Sequence, residues 1–195
     1  MSLARLASIA LGAILVNNFI FSQLLGARPL PGAFKKLDAA AALGLSVTFA
    51  MGLASAASWL VDRFLLVKFG LTYLRTAAFI LVILLLMQLL GWVSHRCLPA
   101  LHAALGDYLP AVTANCAVLG AVLLNVRNGY GFGESVVYGV AGGLGILLAI
   151  VLLAGVGERL TFADPPESFR GFPMALVAAG LMALAFQGFS GLQIW

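Results

Sequence analysis

Charge is scarce in this chain. Only 9% of its 195 residues are Asp, Glu, Lys or Arg, while 63% are hydrophobic. A soluble domain carries about 25% charged and about 45–50% apolar residues. So few charges cannot coat a water-exposed surface of this size, and so apolar a chain does not stay disordered. Cysteine is equally sparse, and the two residues present, Cys97 and Cys116, cannot form a disulfide framework. The net charge of +4 comes without a dense basic cluster, which excludes nucleic acid as a partner. Nucleotide-binding and flavin-attachment motifs are missing. No Asp or Glu interrupts the long apolar stretches, so a carboxylate ion site within them is not expected. What remains is an integral protein of the lipid bilayer.

The charges that exist divide the chain. Uncharged stretches of 22, 23, 20, 19, 23 and 25 residues follow Arg5, Asp38, Arg75, Asp107, Glu134 and Arg170. A helix needs about 20 apolar residues to cross the hydrocarbon core. The spacing predicts an all-α integral membrane protein of six transmembrane helices, forming one membrane domain over residues 1–195. The connectors are short and carry breakers: Pro29, Pro31 and Gly32 in the first, Asn128 to Gly133 in the fourth, Pro165 and Pro166 in the fifth. Trp59, Trp92 and Trp195 lie near span ends, where interfacial Trp is common. The first span resembles a signal peptide only superficially and is read as retained. Orientation is not set by charge, because the two sides hold 6 and 5 Lys/Arg.

An internal repeat emerges at an offset of 95. Arg75, Leu81, Val82, Leu86 and Met87 match Arg170, Leu176, Val177, Leu181 and Met182. The acid–Arg pair Asp62-Arg63 recurs as Glu158-Arg159 at an offset of 96. Repeats of about 1–97 and about 98–195 would hold three spans each, so the second must be inverted relative to the first. Inverted repeats place their site near the midplane, at interrupted helices in corresponding positions. Spans 1 and 4 correspond, and both carry amides at mid-depth: Asn17 and Asn18 in one, Asn115 beside Cys116 in the other. Interruption of both spans is therefore expected. The bland alternatives are that the amides join neighbouring helices and that Cys116 is a small buried hydrophobe. Cys97 reads as an interfacial thiol. His95 and His102 have no zinc-ligand spacing. Gly142, Gly143 and Gly145 point to close helix packing.

Several segments carry a resemblance. Leu15-Val16-Asn17-Asn18-Phe19, Tyr73-Leu74-Arg75-Thr76, Thr113-Ala114-Asn115-Cys116-Ala117-Val118-Leu119-Gly120, Glu158-Arg159-Leu160, Phe169-Arg170-Gly171 and Phe189-Ser190-Gly191-Leu192 stand in the chain in that order. Together they resemble the A-type family of the Rnf complex (RnfA, or RsxA), which is similar to NqrE. The resemblance implies six helices in two inverted repeats. It implies a homologous E-type partner of opposite topology, alongside the B, C, D and G subunits. It implies a complex in the bacterial inner membrane that couples electron transfer between ferredoxin and NAD to sodium or proton translocation, with this chain's N-terminus periplasmic. It also implies a [2Fe-2S] cluster at mid-membrane, with the A-type and E-type chains giving two thiolates each and with Cys116 as one ligand beside Asn115, Asn17 and Asn18. The family's other thiol belongs to a Leu-Gly-x-Cys-Pro motif. Here that segment reads Leu25-Gly26-Ala27-Arg28-Pro29, and the protonated Arg28 has no lone pair to offer iron.

Three readings follow. The first is an electron-conducting subunit of an ion-translocating oxidoreductase, with no complete active site of its own. The second is a small inverted-repeat secondary transporter. The third is a scaffold subunit of the same complex that has lost its redox role.

Overall fold

The computed structural model describes residues 3–25, 37–97, 115–160, 166 and 171–191. All regular structure among them is helical. Helix α1 (Leu3–Leu11) runs into a π-helical turn, Gly12–Val16. Helix α2 (Leu37–Val61) is likewise extended by a π turn, Asp62–Leu66. A short 3-10 turn, Thr72–Leu74, leads into α3 (Arg75–Cys97). Then come α4 (Cys116–Arg127), α5 (Phe132–Leu160) and α6 (Phe172–Gln187), which closes in a 3-10 turn, Gly188–Gly191.

Among the described residues, the helices within the six charge-free stretches are unequal in length. Three helical runs, Ala40–Leu66, Thr72–Trp92 and Phe132–Leu160, are long and apolar enough to cross a membrane. The other three are shorter. At 1.5 Å per residue, the 12 residues of α4 reach about 18 Å and the 16 of α6 about 24 Å, against a hydrocarbon core of about 30 Å. The physical reason is visible at α1 and α4. Each meets an Asn whose side chain satisfies backbone groups that a continuing helix would have used. Residues 26–36 and 98–114, with Arg28, His102, Pro110 and Thr113, lie outside the described residues.

At the centre α2 packs against α5, and the two run antiparallel. Small residues set their distance. A Cβ on Gly44 would stand 2.9 Å from the Leu147 Cα, one on Gly143 would collide with the Thr48 backbone, and one on Gly52 would stand 2.8 Å from Val140. In hydrocarbon there is no hydrophobic drive for helices to associate, so such close backbone approach is what holds them. Ala50, Met51, Ala54, Ile146, Ala149, Ile150 and Leu153 fill the surrounding core. Helix α3 lies at the periphery, with Ile80, Leu81, Leu84, Leu85, Leu89 and Trp92 exposed, as an element turned toward lipid or a partner would be.

Candidate functional site

The first break is built by one residue. After the π turn the Asn17 N–H donates to the Gly12 carbonyl at 2.7 Å, and the Asn17 side chain is exposed. Its neighbour Asn18 is fully buried. The Asn18 Nδ2 donates to the Ile14 carbonyl at 3.0 Å and to the Gly145 carbonyl of α5 at 2.8 Å. Its Oδ1 accepts from the N–H groups of Ile20 at 3.0 Å and Phe21 at 3.3 Å. One side chain thus ends α1, caps the turn that follows and ties the break to α5. Gly145 permits this, since a Cβ there would press on the Ala13 carbonyl at 3.2 Å and on Asn18 Nδ2 at 3.3 Å.

The turn after Asn18 is a single helical turn closed by a reversal. Leu24 donates to the Ile20 carbonyl at 3.1 Å and Leu25 to the Phe19 carbonyl at 2.7 Å. This is the pattern of a helix C-terminus ending in a left-handed residue. That residue is Leu24, at φ +53, where glycine is usual.

The start of α4 repeats the device. Asn115 is extended, at φ −82 and ψ 114, and its Oδ1 accepts the Ala117 N–H at 3.0 Å. This is an N-cap at the start of α4. Asn115 is buried, but Cys116, the first residue of the helix, is exposed. The bland alternative of a small buried hydrophobe at Cys116 is not met: the Asn115 cap turns position 116 outward and sends Ala117 and Val118 inward. The turn after Asn18 adjoins α4. A Cβ on Gly120, one turn into α4, would stand 2.8 Å from Leu25 and 3.7 Å from the Phe19 ring. The Phe19 ring also lies under Gly142 and meets Tyr138 edge-on at 6.2 Å.

The structure thus brings the turn after Asn18, through Phe19 and Leu25, against Gly120 of the helix that Asn115 caps, and it leaves Asn17 and Cys116 exposed. Asn18 has every donor and acceptor engaged within the chain. Cys97 closes α3, in a different part of the sequence order. Among the described residues no group of three or more His, Cys, Asp or Glu could hold a metal. A cluster held by two thiolates from each of two chains does not fit this donor set, since Cys116 supplies one and Arg28 stands at the other position.

Ion pairs mark helix ends among the described residues. Arg75 Nε meets Asp62 Oδ1 at 2.7 Å, joining the end of α2 to the start of α3. Arg5 Nε meets Glu134 Oε1 at 3.0 Å, joining α1 to α5, and the Gly131 N–H donates to Glu134 Oε2 at 3.0 Å. The near-complete burial of Glu134 was not foreseen from sequence, where it read as a loop charge. Asn125 was also missed. It sits in the last turn of α4, 3% exposed, and its Nδ2 reaches Ser55 Oγ at 3.2 Å. The available signal was an amide in the same uncharged stretch as Asn115.

Comparison with known proteins agrees with this architecture. Residues 6–193 match a family model described as "Rnf-Nqr subunit, membrane protein". Relatives from Serratia proteamaculans, Citrobacter koseri and Yersinia enterocolitica, named as the A-type component of an ion-translocating oxidoreductase complex, are each 49% identical over 181 residues. Each alignment covers 93% of this chain and 94% of the relative.

Proposed function

The chain belongs to the Rnf-Nqr family of multi-pass membrane proteins, and from that premise we propose that it serves as the A-type component of an ion-translocating oxidoreductase complex. In this reading it lies in a bacterial inner membrane with its N-terminus periplasmic. It pairs with a homologous E-type chain of opposite topology, and the B, C, D and G subunits complete a complex that couples ferredoxin/NAD electron transfer to sodium or proton translocation. The chain itself carries no complete active site. The residue numbers of the α2–α5 contacts support an inverted repeat. Exchanging the halves at the 95-residue offset maps Thr48–Gly143 onto itself and Gly44–Leu147 onto the neighbourhood of Gly52 and Gly139–Val140.

One observation carries the assignment of a redox role: Cys116 stands exposed at the start of α4, beside the cap built by Asn115, on a helix packed against the break built by Asn18. A thiolate within hydrocarbon is costly unless a metal takes up its charge. In this reading Cys116 offers its sulfur across the E-type interface to an iron site whose remaining ligands come from that partner, and exposed Asn17 lies on the same interface. Asn18 and Asn115 are positioning residues. The test is iron content and EPR of the intact complex. Cys116→Ala and Cys116→Ser should lower bound iron and abolish electron transfer, while Cys97→Ser should do neither. Full iron and activity in Cys116→Ala would reject the ligand role. Arg28 favours a second reading, a scaffold subunit without a thiolate share, and that reading predicts this second outcome.

A further inference from the structure

Helix α2 does not stop where its apolar run stops. Beyond the π turn Asp62–Leu66 the backbone continues to Gly70. There the Leu71 N–H donates to the Leu66 carbonyl at 2.9 Å and the Gly70 N–H to the Val67 carbonyl at 3.4 Å. This paired closure needs a left-handed residue, and Gly70 supplies it at φ +68. The 3-10 turn Thr72–Leu74 then starts α3. The corner is thus held by its own backbone, and Leu66 is the one buried side chain among residues 62–74.

The rest of the corner faces outward. Phe64, Phe69 and Tyr73 are 63%, 67% and 78% exposed, more than any described large apolar residue of α3. Arg63 and Lys68 stand among these rings, one wide turn apart, and both are exposed. Asp62, the acid of the corner, is taken by Arg75 at 2.7 Å. Among the described residues no acid pairs with Arg63 or Lys68. The corner therefore joins apolar rings to two uncompensated positive charges.

Its depth follows from α3. The apolar run Thr72–Trp92 has 21 residues. At 1.5 Å per residue it reaches about 32 Å, which matches a hydrocarbon core of about 30 Å. With that run across the core, the end of α2 falls in the headgroup layer. The exposed flank of α3 through Ile80, Leu81, Leu84 and Leu85 continues from Tyr73 into the core, so the corner and this apolar flank form one surface. Aromatic rings settle at the headgroup level, and Arg and Lys there meet phosphate. Two uncompensated bases favour a lipid of net negative charge over a zwitterion, whose own ammonium offsets its phosphate.

We propose that the α2–α3 corner is a binding site for an anionic phospholipid, with Arg63 and Lys68 on its phosphate and Phe64, Phe69 and Tyr73 against its glycerol and upper acyl chains. The site shares no residue with the Cys116 region, so either reading can fail without the other.

The test is thermal unfolding of the intact complex in nanodiscs of phosphatidylcholine, alone or with increasing phosphatidylglycerol. Phosphatidylglycerol should raise the unfolding temperature of the wild type. Lys68→Gln should need about fivefold more of it for half-saturation, and Arg63→Gln/Lys68→Gln about thirtyfold more, so that the double variant loses the rise. In pure phosphatidylcholine both variants should unfold at the wild-type temperature. Arg127→Gln is the control. Arg127 is exposed on the same side, since Trp59 of α2 donates to the Tyr130 carbonyl just beyond α4 at 3.0 Å, and its variant should keep the wild-type rise. Inorganic phosphate added to phosphatidylcholine discs should give no rise. The proposal is overturned by a wild type that does not respond to phosphatidylglycerol, by a double variant that responds as the wild type does, or by an equal loss in Arg127→Gln. A rise with inorganic phosphate equal to that with the lipid would overturn it too. So would loss of another subunit from the double variant on size exclusion in pure phosphatidylcholine, which would mark the corner as a protein contact.

Discussion

Asn18 and Asn115 do the same work at two places: each stops or starts a helix by lending an amide oxygen to backbone N–H groups two residues on. Their surroundings differ, and so do the expected costs of losing them. Asn115→Ala removes one cap bond and should cost about 1 kcal/mol, with Asn115→Asp or Asn115→Ser largely restoring it. Asn18→Ala removes two donors and a cap in a fully buried setting and should cost about 3 kcal/mol or more. Unfolding of the complex followed by circular dichroism would rank the two. Leu24 offers the opposite case. It holds a left-handed conformation that costs a non-glycine residue about 1–2 kcal/mol, and its side chain is 73% exposed. Leu24→Gly should therefore raise the unfolding temperature. From sequence the amides of the two corresponding stretches were legible, and so was the interruption at Asn17-Asn18; what precedes Asn115 lies outside the described residues. Which of two adjacent asparagines turns inward was not. The π turn at Gly12–Val16 shifts the helical face just before them, and nothing in the residue types announces that shift.

At the scale of elements, the glycines of α5 were legible as packing residues, but their partner was not. Periodicity shows that a helix face is small; it does not show which other face closes on it. The observed partner makes a sharp contrast testable. Gly143→Ala would drive a methyl into the Thr48 backbone and should cost about 3 kcal/mol. Gly155→Ala, on the same helix with open space around it, should be neutral or gain up to about 1 kcal/mol from helix propensity. The Asp62–Arg75 pair, with Arg75 about one-third exposed, is worth about 1 kcal/mol or less and serves mainly to set the α2–α3 corner. Asp62 recurs as Glu158 at an offset of 96 and Arg75 as Arg170 at an offset of 95, so the repeat predicts a like pair between Glu158 and Arg170. A double-mutant cycle on Glu158 and Arg170 should return a coupling energy similar to that of Asp62 and Arg75; zero coupling would count against the repeat.

For the molecule as a whole, the shortness of α1 and α4 matters most. Both end or begin at an asparagine cap within long apolar stretches, where lipid would offer no hydrogen bonds, and among the described residues α3 has a broad exposed apolar face. The chain purified alone in mild detergent should be polydisperse and should unfold at lower temperature than within its complex, which size-exclusion light scattering and a thermal scan would check. The α2–α5 seam also has a kinematic meaning. Two helices locked by Thr48 on Gly143 and Gly44 on Leu147 cannot slip along each other by a turn, about 5.4 Å, without bringing larger side chains into slots cut for glycine. Such a slip would also tear the 2.8 Å bond from Asn18 to Gly145. Piston-like travel is thus closed to this pair, and what remains is a pivot. Relative motion of α2 and α5 is a tilting about the Thr48–Gly143 contact, with the break at Asn18 carried along as a fixed part of the α5 lever.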